Sequence, residues 1–371
     1  MGITVDFDIY KGKKVFLTGH TGFKGSWLAL WLTNLGAEVC GYSLAPDTEP
    51  ALFNILGLDK KVKKHILGDV RDFENLKKSV GSFKPDIIFH LAAQPLVRVS
   101  YKTPLETYQT NVMGVVNVLE AARMSGGVEA IVNVTTDKCY HNKEENYAYK
   151  ETDPMGGYDP YSNSKACSEL VTSSFRSSFF NPAHIGVKHN TALASARAGN
   201  VIGGGDYSLD RLIPDFIKAI YSGEKIVLRN PDAVRPWQFV LEPLSGYLLL
   251  GVKLLSKDRN SAAKYASAYN FGPYESSVIT VENVVKEAIK ILKKGSYSID
   301  KGEHPHEAGL LQLCIEKADK ELNWEPIYTV TKAIDETMKW YKAYNDGEDM
   351  LKFSNKQINE YAEQISFGTG S

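Results

Sequence analysis

An apolar run, Val15-Phe16-Leu17, leads into Gly19-His20-Thr21-Gly22-Phe23-Lys24-Gly25 and then into a stretch rich in Trp and Leu. No other feature constrains the chain as much as this order of strand, glycine turn and helix start. Glycines suit a tight turn whose backbone must approach a pyrophosphate closely. An anion placed there meets free N–H groups at the positive end of the helix dipole. The pattern predicts a dinucleotide-binding crevice shaped by Gly19, Gly22 and Gly25, with His20, Thr21, Phe23 and Lys24 around the phosphates. The stretch that follows reads as an amphipathic helix. A purely structural turn is the competing reading, because glycine turns are common.

The rest of the first half favours the crevice. Strand-like runs at 14–19, 38–43, 63–69, 86–92, 130–136 and 192–200 alternate with helical stretches at 23–35, 72–80, 104–124 and 160–179. Strands separated by helix-length segments imply right-handed βαβ units and a parallel sheet. Ile87-Ile88-Phe89 and Ile131-Val132 are continuously apolar, as expected of central strands buried on both faces. The expected fold is α/β, a Rossmann-like doubly wound parallel sheet with a smaller, mixed C-terminal lobe. Residues 1–199 would form the dinucleotide-binding part and 200–371 mainly the substrate-binding lobe, the two interleaved. From about Asn345 the chain is polar, consistent with a terminal helix or a frayed end.

Composition removes several function classes. With 43 Lys+Arg against 44 Asp+Glu, the formal charge of −1 offers no basic field for nucleic acid. Cys40, Cys139, Cys167 and Cys314 are scattered, without a C-x-x-C pair or a histidine cluster. Neither a metal site nor a disulfide framework is expected, and a reducing, cytoplasmic setting is. No stretch approaches 18 uninterrupted apolar residues, so no membrane segment is expected.

Two motifs carry chemistry. Tyr161 and Lys165 form Y-x-x-x-K after Asp159-Pro160, where Asp159 suits an N-cap and Pro160 the first helical position. Spacing of four residues puts phenol and ammonium on one helix face. The cation is expected to pull the phenol from about 10 toward neutral, making it a general base. Upstream, Thr135-Thr136-Asp137-Lys138 closes the run Ile131-Val132-Asn133-Val134. Thr136 can hydrogen-bond a reacting hydroxyl, while Asp137 and Lys138 offer an acid and a potential base. Without that context, either motif reads as a charged or polar surface segment.

The glycine loop, Asp69-Val70-Arg71-Asp72, His90-Leu91-Ala92-Ala93-Gln94, Thr136, Tyr161-x-x-x-Lys165 and Arg197-x-x-Asn200 together resemble an extended short-chain dehydrogenase/reductase acting on nucleotide sugars. The likeness runs from about residue 13 to 342. Within that superfamily, the glycine loop with Ser26-Trp27, and Thr136-Asp137-Lys138, are most similar to the CDP-glucose 4,6-dehydratases. The dTDP-glucose enzymes carry Glu where this chain has Lys138. The resemblance implies a redox-neutral elimination. Tyr161, aided by Thr136 and Lys165, removes the 4-OH proton as hydride passes to NAD. Lys138 then takes the C5 proton, Asp137 protonates the departing 6-OH, and hydride returns to C6. As a base, Lys138 needs a lowered pKa.

For the cofactor, the resemblance adds Ser43, Asp69, Val70, Leu91, Ala92 and Ala93 to the glycine loop, Tyr161 and Lys165. The second strand ends in Ser43, not in the usual carboxylate for the ribose 2′-OH, which predicts weaker NAD binding or tolerance of NADP. His20 and Lys24 are candidates to compensate. For the nucleotide sugar, Arg235 is the expected diphosphate ligand, since a guanidinium binds phosphate in a bidentate manner. Asn200 and Arg211 are further nucleotide candidates, Gln94 and Arg98 can reach the hexose, and His306 reads as either a base or ribose contact or a plain loop residue. A 4-epimerase and a non-catalytic NAD(P) sensor are the alternatives; Asp137-Lys138 argues against the first and the Tyr161/Lys165 pair against the second. The resemblance also implies a homodimer joined through the 104–124 and 160–179 helices, or two such dimers stacked into a tetramer, and a role in surface polysaccharide (O-antigen) deoxysugar synthesis.

Overall fold

A computed structural model describes residues 7–300, 302 and 311–367. Seven parallel strands form its centre: β1 (Lys14–Thr18), β2 (Glu38–Ser43), β3 (Lys64–Leu67), β4 (Ile87–His90), β5 (Ala130–Val134), β6 (Ala192–Ala198) and β7 (Ala268–Phe271). Their spatial order is 7-6-5-4-1-2-3. The order therefore reverses between β1 and β4, and a crevice opens at the carboxyl ends of those strands. The six expected strands are present; β2 ends where expected, and the other five end one to two residues earlier, where the pattern ran on into a loop. β7 comes from the C-terminal half, so that half contributes to the sheet as well as to the lobe.

Helix α1 (Phe23–Asn34) differs from expectation. Residues Gly25, Ser26, Trp27, Leu28, Ala29, Leu30, Trp31 and Leu32 are all buried, so the helix is apolar all round and not amphipathic. The C-terminal helix Met350–Phe367 covers its outer face, with Tyr361 edge-on to Trp31 at 5.9 Å. The polar tail is thus a docked helix. Helix α2 (Phe73–Phe83) is capped by Asp72 and packs with α3 (Gly114–Ser125) on the opposite face of the sheet. The segment before α3 runs through Pro104–Tyr108 and a π-helical turn, Gln109–Met113, instead of one regular helix. That turn presents the buried Asn111, whose amide binds the backbone N–H and C=O of Gln94 and the Ser164 hydroxyl. Helix α4 (Pro160–Ser178) begins as expected, Asp159 accepting from the Ser162 N–H.

The smaller lobe consists of short strand pairs: Val234–Pro236 antiparallel to Val278–Thr280, and Ile226–Leu228 parallel to Tyr297–Ile299. It overhangs the carboxyl edge of the sheet. Helix α5 (Leu241–Leu254) ties it to the core, and its Glu242 is fully buried. That carboxyl accepts from the N–H groups of Ile327 and Tyr328 and from the Tyr361 hydroxyl. Among the described residues no helix is long and apolar enough to cross a membrane, and no group of three or more His, Cys, Asp or Glu is placed to hold a metal ion.

Burial pushes the Glu242 carboxyl up to about 7, against the pull of its three donors. The unfolded chain loses this proton at lower pH than the folded one. The contribution to stability is therefore complete below the ordinary carboxylate range and is lost as pH rises through about 7. Melting temperature is expected to fall over that window in the wild type and to fall less in Glu242→Gln, as followed by circular dichroism.

Candidate active site

The glycine turn fits a dinucleotide. Gly19 takes φ +76°, and a Cβ there would lie 2.7 Å from the Ala92 nitrogen; a Cβ on Gly25 would lie 2.0 Å from the Gly19 carbonyl oxygen. Gly22, by contrast, would meet only that carbonyl, at 3.5 Å, so its face of the turn stays open at the start of α1. Leu91, Ala92 and Ala93 follow β4 on the other side of the crevice. The Thr21 and Ser43 hydroxyls bond each other at 2.8 Å where a carboxylate is usual.

Several of the expected cofactor residues have partners within the chain. His20 is fully buried and turned away from the turn, 2.7 Å from His65, with burial and that neighbour driving its pKa down to about 3. A neutral, inward-facing imidazole does not compensate for the missing acid. Asp69 is gripped by the Arg71 guanidinium, which holds its carboxyl below the usual range. Val70 is buried against Gly114. Lys24 does not stand at the phosphates either: it enters a cavity of about 340 Å³ between sheet and lobe.

That cavity collects most of the remaining candidates. Thr136, Lys138, Tyr161, Arg98, Asn200, Arg211 and Arg235 line it, although they come from six separate segments. Arg229, which the sequence did not single out, joins them; it and Arg98 approach the same Asp210 carboxylate oxygen, at 3.0 and 3.8 Å. Arg211 pairs with Asp206 at 2.9 Å; burial opposes its charge, but Asp206 outweighs it and keeps the guanidinium above its ordinary value. Gln94 is not in the wall. Its carboxamide donates to Thr107 and accepts from the Leu96 N–H, so it shapes the loop instead of reaching a sugar. His306 lies outside the described residues.

At the deep end, the Thr136 hydroxyl stands where it favours the Tyr161 phenolate and donates to Asp137 Oδ1 at 2.9 Å. Lys138 Nζ donates to the same oxygen at 3.3 Å and to Asn200 Oδ1 at 3.2 Å. Asp137 itself is buried behind the wall, with Oδ2 unpartnered and facing Gly199. The Tyr161 phenol is pushed up to about 12, not down toward neutral. Burial is the main cause, with Asp137 and Asp159 adding to it and the Thr136 hydroxyl and Arg211 opposing. Burial lowers Lys165 to about 8, against Glu169 and Cys139, and its ammonium donates to the Val134 carbonyl at 3.3 Å.

A buried ion pair holds this end together. Glu169 on α4 accepts from Arg197 on β6 at 2.8 Å, from Ser195 at 2.8 Å and from Thr135 at 2.5 Å. Arg197 also donates to the Tyr140 hydroxyl at 2.7 Å, fixing the turn that carries Asp137 and Lys138.

The family model described as GDP-mannose 4,6 dehydratase matches residues 16–337. A CDP-glucose 4,6-dehydratase of Salmonella typhimurium is 50% identical over 358 residues, covering 96% of this chain and 98% of that one. The chain belongs to this 4,6-dehydratase family. Its fold is shared with a UDP-glucose 4-epimerase of Thermotoga maritima solved with UDP-glucose (TM-score 0.76, 20% identity, 90% of this chain and 99% of that one). A dTDP-glucose 4,6-dehydratase of Streptomyces venezuelae solved with NAD is equally near (TM-score 0.75, 22% identity, 91% and 99%).

For this family member, removing one half of the Glu169–Arg197 pair leaves a charge buried alone. Arg197→Met is expected to cost about 3–5 kcal/mol in urea denaturation. Adding Glu169→Met is expected to recover more than half of that loss, because both charges are then gone.

Proposed function

We propose that the chain is an NAD-dependent CDP-glucose 4,6-dehydratase, converting CDP-D-glucose to CDP-4-keto-6-deoxy-D-glucose. One observation carries the reading: beyond Tyr161 and Thr136 the hydrogen bonds continue to a carboxylate and a lysine. Inversion at C4 needs only the tyrosine and its lysine. Elimination of water needs a further proton source, and Asp137 with Lys138 supplies one. The 50% identical relative supports the CDP sugar, and the arginines of the cavity suit its diphosphate.

Gly19, Gly22, Gly25, the start of α1 and Leu91–Ala93 would hold the dinucleotide. When bound, the nicotinamide takes hydride from C4 and later gives it to C6. Tyr161 receives the 4-OH proton as it passes its own to Thr136, and Thr136 passes one to Asp137. The phenol thus stays protonated overall, in keeping with its raised pKa. Lys165 supports the phenol from the next turn of α4. Asp137 and Lys138 share the proton that the departing 6-oxygen takes with it. The hydroxyl pair Thr21/Ser43 faces the ribose without a charge to repel a 2′-phosphate, so NADP is tolerated as well as NAD.

Incubation with NAD and each of CDP-, dTDP-, UDP- and GDP-glucose is expected to give loss of one water from CDP-glucose alone, read by mass spectrometry. Tyr161→Phe is expected to lower that rate by about 10²–10⁴-fold while cofactor binding persists. Water loss from another nucleotide would overturn the CDP assignment, and a stereoisomer without water loss would point to an epimerase.

A second copy of the chain is the proposed partner. Leu105, Met113 and Leu170 stand exposed along the helical segments at 104–113 and on α4, an apolar set suited to a two-fold helical interface. Light scattering is expected to report a dimer or tetramer, reduced to monomer by Leu105→Glu with Leu170→Glu. The four free thiols suit a cytoplasmic setting.

A further inference from the structure

We propose that Lys24 is the base that takes the C5 proton, and that Lys138 acts on the acid side of the same elimination. The proposal rests on the dehydratase reading and assigns a role within it. Two lysines enter the cavity wall, and their surroundings are opposite. Lys138 Nζ lies against two acceptors, donating to the Asp137 carboxylate and the Asn200 side-chain carbonyl oxygen, so its polar contacts are spent on the acid side of the site. An ammonium has no lone pair with which to accept a proton. Lys24 Nζ makes no hydrogen bond or ion pair with any described residue. Its close neighbour is the ring face of Tyr247, with the centroid at 5.9 Å.

The charges around Lys24 act the same way. It sits in the first turn of α1, at the positive end of the helix dipole. Lys165 from α4, Arg211 from the start of the Leu212–Ser222 helix and Lys138 from the turn after β5 all disfavour its proton, and only Asp137 favours it. Burial is the largest influence, and together these lower the ammonium to about 7. Tyr161 shares the wall, and the buried Tyr247 hydroxyl has no partner. A half-buried amine, neutral in a useful fraction of molecules near pH 7, therefore lines the same cavity as Tyr161.

The step balances. The Lys24 lone pair takes the C5 proton, and the electrons of the C5–H bond move into the C4 carbonyl. The C6–O bond then breaks, and the oxygen leaves as water with a proton from the Lys138–Asp137 pair. As C6 receives hydride, the Lys24 ammonium returns its proton to C5. The proton spent by Lys138 and Asp137 is replaced by the one that left the 4-hydroxyl through Tyr161 and Thr136.

The test uses the holoenzyme in D₂O with the 4-keto-6-deoxy product, whose C5–H exchanges without any hydride step. Lys24→Met is expected to slow that exchange by about 10²-fold or more, while CDP-glucose still yields reduced nicotinamide, seen by its absorbance. Lys24→Arg is expected not to restore exchange, because a guanidinium keeps its proton. Lys138→Met is expected to retain exchange and lose water release. Wild-type exchange is expected to rise as pH passes about 7, and Lys24→Met to lack that rise. Unchanged exchange in Lys24→Met, or its loss in Lys138→Met, overturns the assignment. Failure of Lys24→Met to form reduced nicotinamide also overturns it, making Lys24 a cofactor-positioning residue. If the wild type releases no water from CDP-glucose, the dehydratase reading itself falls.

Discussion

The contact of Gly25 with the carbonyl of Gly19 decides where everything else stands. With no Cβ between them, α1 starts directly against the turn that ends β1. That closeness has two results. It leaves the outer face of Gly22 free for a pyrophosphate, and it directs the side chain between them, Lys24, over the carboxyl edge of the sheet into the cavity. The same helix is apolar on every side, so it needs a cover, and the C-terminal helix provides one through Trp31 and Tyr361. The buried Glu242 then ties that cover to the lobe. Cofactor turn, substrate lobe and C-terminus are thus one mechanical unit.

Charge in the cavity is arranged by pairing. Arg211 is matched by Asp206, Arg229 and Arg98 meet at Asp210, and Lys138 leans on Asp137. A cluster of cations without these carboxylates would repel itself at this depth. Asp206 keeps the Arg211 guanidinium above its ordinary value, which suits a diphosphate. The lysine left out of the pairing is the one that can afford to be neutral. Lys24 and Lys138 show how two identical side chains in one wall acquire different chemistry from their neighbours alone.

Most of the sheet was legible in the sequence, because central strands buried on both faces are unbroken apolar runs and the glycine turn marks where they begin. The Tyr161/Lys165 spacing and the Thr136-Asp137-Lys138 run were legible for the same local reason. What the sequence hid was direction. His20 and Lys24 flank Thr21-Gly22-Phe23, yet one points into the core beside Gly41 and the other into the cavity; their spacing carries no sign of that. The phenol of Tyr161 was expected to be acidified by Lys165, but burial outweighs a single cation. Gln94 looked like a sugar ligand because it follows β4, whereas the π-turn at Asn111, itself invisible in the pattern, claims its backbone. Arg229 and Asp210 sit in loops of no recognisable motif, and only the folding of the lobe brings them to the wall.

The line of bonds from Tyr161 through Thr136 and Asp137 to Lys138 has a consequence for solvent. On the proposed route, a proton taken from the C4 hydroxyl is delivered to the leaving C6 oxygen internally, and each group on the way ends as it began. On that route bulk water is neither reagent nor proton reservoir for this transfer. Its only part is as a product that must escape. A site with such a closed circuit can stay sealed and dry throughout catalysis, and a dry interior protects a reactive ketone best.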